Sequence, residues 1–144
     1  MARITRSVYI EAPPDAIWRA LVAIEAWPGW ARQMKRLQRL DPGPLAFGSR
    51  VRVTPKGMPG SVWEVIEYEE RRSYTWTSIV APGVRLTGGH VVDPDPGGGL
   101  MATFWLGSSG PLAAILSPML AVVFRRNTRL ATEGLKAYVE GARA

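Results

Sequence analysis

The chain has no cysteine, so it can form no disulfide framework, thiolate nucleophile or cysteine-bound metal site. It has one histidine, His90, which leaves too few ligands for a typical zinc site and one candidate for imidazole chemistry. Long apolar runs are also missing. The longest, Pro111–Phe124, falls short of the roughly 20 residues a spanning helix needs, and Pro118 interrupts it. No stable membrane insertion is therefore expected. The opening residues MARITRSVYIEAPP lack the apolar core of a signal peptide. Together with the absent cysteine, this leads to the expectation of a cytoplasmic protein. GxSxG, HExxH, P-loop and GxGxxG patterns are all absent, and neither a metal nor a cofactor is expected.

The 144 residues suit a single domain spanning 1–144, with no linker, repeat or low-complexity segment. The net charge of +6 is carried mainly by arginine, scattered from Arg3 to Arg129. No basic block is interleaved with aromatics and no recognition-helix motif appears, so nucleic acid is not an expected partner.

The period changes along the chain. Ile4–Ile10 alternates and is rich in β-branched residues, which predicts a strand. Pro13-Pro14-Asp15 ends it and opens a helix with Ile17, Leu21 and Ile24 on one face. Pro28 and Gly29 break that helix and leave room for only a short second one. Met34–Leu40, Arg50–Thr54, Ser61–Glu69, Ser73–Val80, Val84–Val92 and Leu100–Leu106 follow as strands, parted by turns rich in proline and glycine. From Pro111 the period is helical, with Leu116, Leu120, Val123, Asn127, Leu130, Gly134 and Tyr138 at spacings of three or four. Pro118 is expected to kink this helix. Seven antiparallel strands with one long helix to cover them predict a layered α+β domain.

Several loose patterns sharpen this expectation. They are Ala12-Pro13-Pro14 with Ile17-Trp18, the turn Trp27-Pro28-Gly29-Trp30, the Trp63–Val65 strand, Tyr74 with Trp76, His90, Gly97–Gly99, and Gly110-Pro111-Leu112. In these the chain resembles the START/Bet v 1-like (SRPBCC) superfamily, in its polyketide cyclase/dehydrase-like branch. The resemblance implies a helix-grip fold. A curved seven-stranded sheet would wrap a long C-terminal helix, with two short helices between the first two strands. It also implies an apolar cavity between sheet and helix.

Parity and period supply candidates for the cavity wall. Arg85 belongs in water, so His90, Leu86 and Gly88 should face inward, with Gly88 leaving room beside the imidazole. His90 is the candidate proton-transfer group. Trp63 and Trp76 offer broad apolar walls, and Trp27 and Trp30 flank the turn beneath them. Val51, Val53, Val65, Tyr74 and Phe104 complete the sheet's share, and Leu116, Leu120, Val123 and Asn127 the helix's. Parity makes Glu67 a formal inward carboxylate, although bulges upset such counting. The expected function is binding of a small hydrophobic molecule such as a polyketide, lipid or isoprenoid. The alternatives are a polyketide cyclase or dehydratase working through His90, and a module that binds a protein partner. The apolar first half of the helix, followed by Arg125 and Arg126, resembles a lipid-surface helix but lacks a polar face. It is read as covered, by the sheet or by a second copy in a homodimer.

Overall fold

The computed structural model describes residues 3–141. The alternating N-terminal segment forms strand β1, Arg3–Ile10. Pro13 caps the next element in extended backbone (φ −61°, ψ 137°), and Pro14 opens helix α1, Pro14–Val22. Proline costs little there, because the first N–H groups of a helix have no partner to lose. Ile17, Trp18, Ala20 and Leu21 bury one face of α1. A short 3-10 helix, Ile24–Gly29, follows with Pro28 inside it. The Leu21 carbonyl, left over near the end of α1, accepts from Trp27 Nε1 at 3.1 Å and from Tyr74 Oη at 2.8 Å. Those two bonds fix the helix end against the turn and the sheet.

The remaining strands are β2 (Met34–Arg39), β3 (Arg50–Pro55), β4 (Ser61–Glu69), β5 (Ser73–Ala81), β6 (Val84–Pro94) and β7 (Leu100–Ser109). They form one sheet in the order β1-β7-β6-β5-β4-β3-β2. Every neighbouring pair is antiparallel. The first and last strands meet in unbroken register, from Arg3 opposite Gly107 to Ile10 opposite Leu100. β2 lies at the far edge, and its pairing with β3 shifts between Met34 and Arg36.

A second shift, between Val65 and Glu67 in β4, changes which face the later residues occupy. Trp63 and Val65 are buried, Glu67 is exposed, and Tyr68 turns in beside Trp18. The formal parity of Glu67 therefore does not survive folding.

The C-terminal segment is two helices, α2 (Pro111–Ile115) and α3 (Ser117–Gly141), where the sequence predicts one kinked helix. Leu116 sits between them at φ −86°, ψ 2°. Pro118 explains the break: it has no N–H for the Ala114 carbonyl, and its ring crowds that carbonyl. The face of α3 packed on the sheet is also not the predicted one. Phe124, Thr128, Ala131, Thr132, Leu135 and Val139 are buried, while Leu116, Leu120, Val123, Asn127, Leu130 and Gly134 are half-buried and Tyr138 is exposed. Two stripes with helical spacing run side by side, and period alone cannot choose between them. Small side chains at Thr128, Ala131 and Thr132 let the helix lie close over β1 and β7. The neighbouring stripe approaches the segment just after the 3-10 helix, at Trp30 and Gln33. A Cβ at Gly134 would collide with the Trp30 carbonyl oxygen, so only glycine permits this approach.

Candidate functional site

The register of β5, β6 and β7 arranges the concave face in rows. Ser78, Leu86 and Ser108 lie side by side, then Trp76, Gly88 and Leu106, then Tyr74, His90 and Phe104. The third row continues onto β1 at Arg6. Arg6 closes that end by donating through Nε to Thr132 Oγ1 at 3.1 Å and through Nη2 to Glu133 at 3.4 Å.

His90 sits at the centre of an aromatic network. Its ring centroid is 4.6 Å from Tyr74 and Phe104, 5.2 Å from Trp27 and 5.7 Å from Trp76. Trp63 joins through Trp76 at 5.4 Å, and Trp30 through Trp27 at 5.1 Å. Rings at these tilted and edge-on angles fill space and contribute beyond their buried area. Burial drives the His90 pKa down to about 3, and the nearby Tyr74 backbone offsets this only in part. The imidazole is therefore neutral across the physiological range. Burial also pushes the Tyr74 phenol well above its ordinary value.

The predicted lining residues fall into two groups. Trp27, Trp30, Val51, Val53, Trp63, Val65, Tyr74, Trp76, His90 and Phe104 are buried together in one core. Leu116, Leu120, Val123 and Asn127 form the half-buried flank of α2–α3, where the Asn127 carbonyl accepts from Gln33 Nε2 at 3.5 Å. Leu86 is half-buried and packs against that core. The expected room beside Gly88 is occupied. A Cβ there would meet Leu106 Cδ2 at 3.1 Å and Trp76 Nε1 at 3.2 Å, so the missing side chain makes space for its neighbours.

Sequence reasoning missed four polar side chains. Ser78 and Ser108 are buried on the concave face, and their Oγ atoms have no hydrogen-bond partner among the described residues. His90 Nδ1, Trp30 Nε1 and Gln33 Oε1 are in the same condition. The signal was present, because Ser78 shares parity with Tyr74 and Trp76, and Ser108 with Phe104. A separate cleft of about 430 Å³ lies between α1 and the ends of β2 and β4, against Trp18, Arg39 and Tyr68. Arg39 is the fourth: Nη1 donates to the Gly43 carbonyl at 2.6 Å, while Nε and Nη2 lack partners. Among the described residues no cluster of histidine and carboxylates is fit to hold a metal ion.

A curved antiparallel sheet closed over by a long C-terminal helix defines a START-like helix-grip domain. The chain belongs to the family described as polyketide cyclase / dehydrase and lipid transport, whose model matches residues 1–140. No curated protein matches it. Among solved structures it is similar to a START superfamily protein from Mycobacterium smegmatis, with a TM-score of 0.79 at 15% identity over 99% of both chains. It is also similar to a hypothetical protein from Helicobacter pylori, with a TM-score of 0.82 at 15% identity over 95% of this chain and 87% of that one. A third likeness is to the di-domain ARO/CYC BexL from the BE-7585A biosynthetic pathway. There the TM-score is 0.78 at 17% identity, over 97% of this chain and 47% of that one. At these identities the likeness concerns the fold. Among the described residues no helix is long and apolar enough to cross a membrane.

Proposed function

We propose that the concave face beneath α3 takes up a small, mainly apolar molecule that carries a few oxygen functions. The observation that carries this reading is the set of buried polar atoms without protein partners: Ser78 Oγ, Ser108 Oγ, His90 Nδ1, Trp30 Nε1 and Gln33 Oε1. Each costs about 1–3 kcal/mol if nothing meets it. They stand among tryptophans and aliphatic side chains, the mixture that recognises an apolar body with a few carbonyl or hydroxyl groups. A polyketide or an oxygenated isoprenoid has that chemistry, and the family's description is consistent with it.

The enzymatic alternative asks His90 to gain and lose a proton near the working pH. Its burial among rings, with a pKa of about 3, favours a neutral hydrogen-bonding role. Binding is therefore the stronger reading.

Mass spectrometry of an organic extract from protein purified without detergent tests it. A stoichiometric apolar molecule with carbonyl or hydroxyl groups is expected. The Ser78→Ala/Ser108→Ala double variant should hold that molecule about 5- to 150-fold more weakly, the loss of two neutral hydrogen bonds. An empty extract, together with no thermal shift across polyketide, isoprenoid and fatty-acyl compounds, would exclude it.

A further inference from the structure

The outer side of α2 and of the first half of α3 is apolar and uncovered. Leu112, Ile115, Met119 and Val122 are 39%, 76%, 56% and 63% exposed. Within α3 the spacing of Met119, Val122, Arg126 and Arg129 keeps them on one line along the axis. The stripe thus passes from apolar to basic without a break. Its basic half borders a groove of about 660 Å³, lined by Arg3 and Arg6 of β1 and by Arg125, Arg126 and Arg129 of α3. Arg3 lies over the Trp105 ring, 4.0 Å from its centroid. Arg6 and Arg129 both reach Glu133, at 3.4 and 3.9 Å. Arg125 and Arg126 have no ion-pair partner among the described residues. The sequence from Pro96 to Thr132 contains no acidic residue.

We propose that this stripe docks on an anionic lipid surface. Leu112, Ile115, Met119 and Val122 would enter the boundary between headgroups and acyl chains, while the arginines meet lipid phosphates. Apolar side chains beside cations on one helical face are what such binding needs. Guanidinium groups also match phosphate geometry in a fork. A second copy of the chain fits the apolar half but not the basic one. It would bring the same arginines and, from this stretch, no carboxylate to meet them. An anionic polymer would use the arginines and leave the apolar half in water. The half-buried Leu116, Leu120 and Val123 flank the same helices, so docking would also bring that edge of the interior to the bilayer. The inference does not depend on what the interior binds.

Sedimentation of the full chain with vesicles tests it. One set is phosphatidylcholine alone, the other phosphatidylcholine mixed with phosphatidylglycerol. The protein should sediment with the anionic vesicles, and salt should weaken this. Arg125→Gln/Arg126→Gln should lower partitioning about thirtyfold, since each basic residue near such a surface contributes about fivefold. Met119→Ser/Val122→Ser should lower it as well, which simple charge adsorption would not predict. All four side chains are exposed, so circular dichroism should show both variants folded as wild type. Absence of sedimentation, or wild-type sedimentation by either variant, would overturn the proposal. So would a dimer in light scattering that Met119→Ser/Val122→Ser converts to monomer, because the stripe would then be covered by a second copy.

Discussion

His90 reports its own surroundings. Its pKa lies at about 3 in the folded chain against 6.5 when unperturbed, so the unfolded chain takes up a proton at a higher pH than the folded one. The stability this group contributes is therefore complete above pH 6.5 and falls as the pH drops toward 3. The slope should be about 1.4 kcal/mol per pH unit. Because His90 is the sole histidine, urea midpoints measured between about pH 6.5 and pH 5 isolate it, before most carboxylates titrate. His90→Phe should flatten that slope, whatever it does to stability at neutral pH; an unchanged slope would place the imidazole in contact with water. Gly134 makes a steric prediction. Gly134→Ala drives a methyl into the Trp30 carbonyl and should cost about 1–3 kcal/mol. Gly141→Ala, with nothing within 4 Å, should be neutral or slightly stabilising. Equal denaturation midpoints for the two variants would contradict the close approach of α3 to Trp30. At this scale parity placed His90 inward correctly, because Arg85 on the same strand had to face water. It could not show that the space beside Gly88 is filled, since Trp76 and Leu106 come from two other strands.

The element order was legible wherever local chemistry decides it. Pro13-Pro14 starts α1, Pro28-Gly29 limits the next turn, and alternating β-branched runs mark the strands. Elements misread from the sequence are those that depend on distant partners. The shift in β4 depends on how β5 pairs with it, and it removes Glu67 from the interior. The choice of stripe on α3 depends on the sheet beneath, and two apolar stripes look alike in one dimension. That choice can be tested directly. Phe124→Ala should destabilise by about 3–5 kcal/mol, because it empties a buried site. Val122→Ala, on the exposed side, should change stability by no more than about 0.5 kcal/mol. Chemical denaturation of the pair distinguishes the packed face from the exposed one, and reversed magnitudes would contradict the burial of Phe124.

For the whole molecule, the pairing of β1 with β7 joins the two ends of the sheet's sequence, and α3 then packs over both. Such contacts require long loops to close before they stabilise anything, so folding should take milliseconds to seconds rather than microseconds. Stopped-flow fluorescence of the tryptophans measures this, and a microsecond phase carrying the full amplitude would contradict it. A bound ligand at about 100 times its Kd should add about 2.7 kcal/mol to global stability. The order of the strands has one further consequence. The sheet does not close on itself, so β1 and β2 are its two edges, and at β2 the Arg39 N–H is held by Glu25 Oε2 at 3.2 Å. That strand carries Lys35, Arg36 and Arg39, and its pairing is irregular at Met34. The exposed charges of Lys35 and Arg36 on that strand disfavour pairing with the edge of another sheet, so part of the basic surplus sits where it opposes edge-to-edge association.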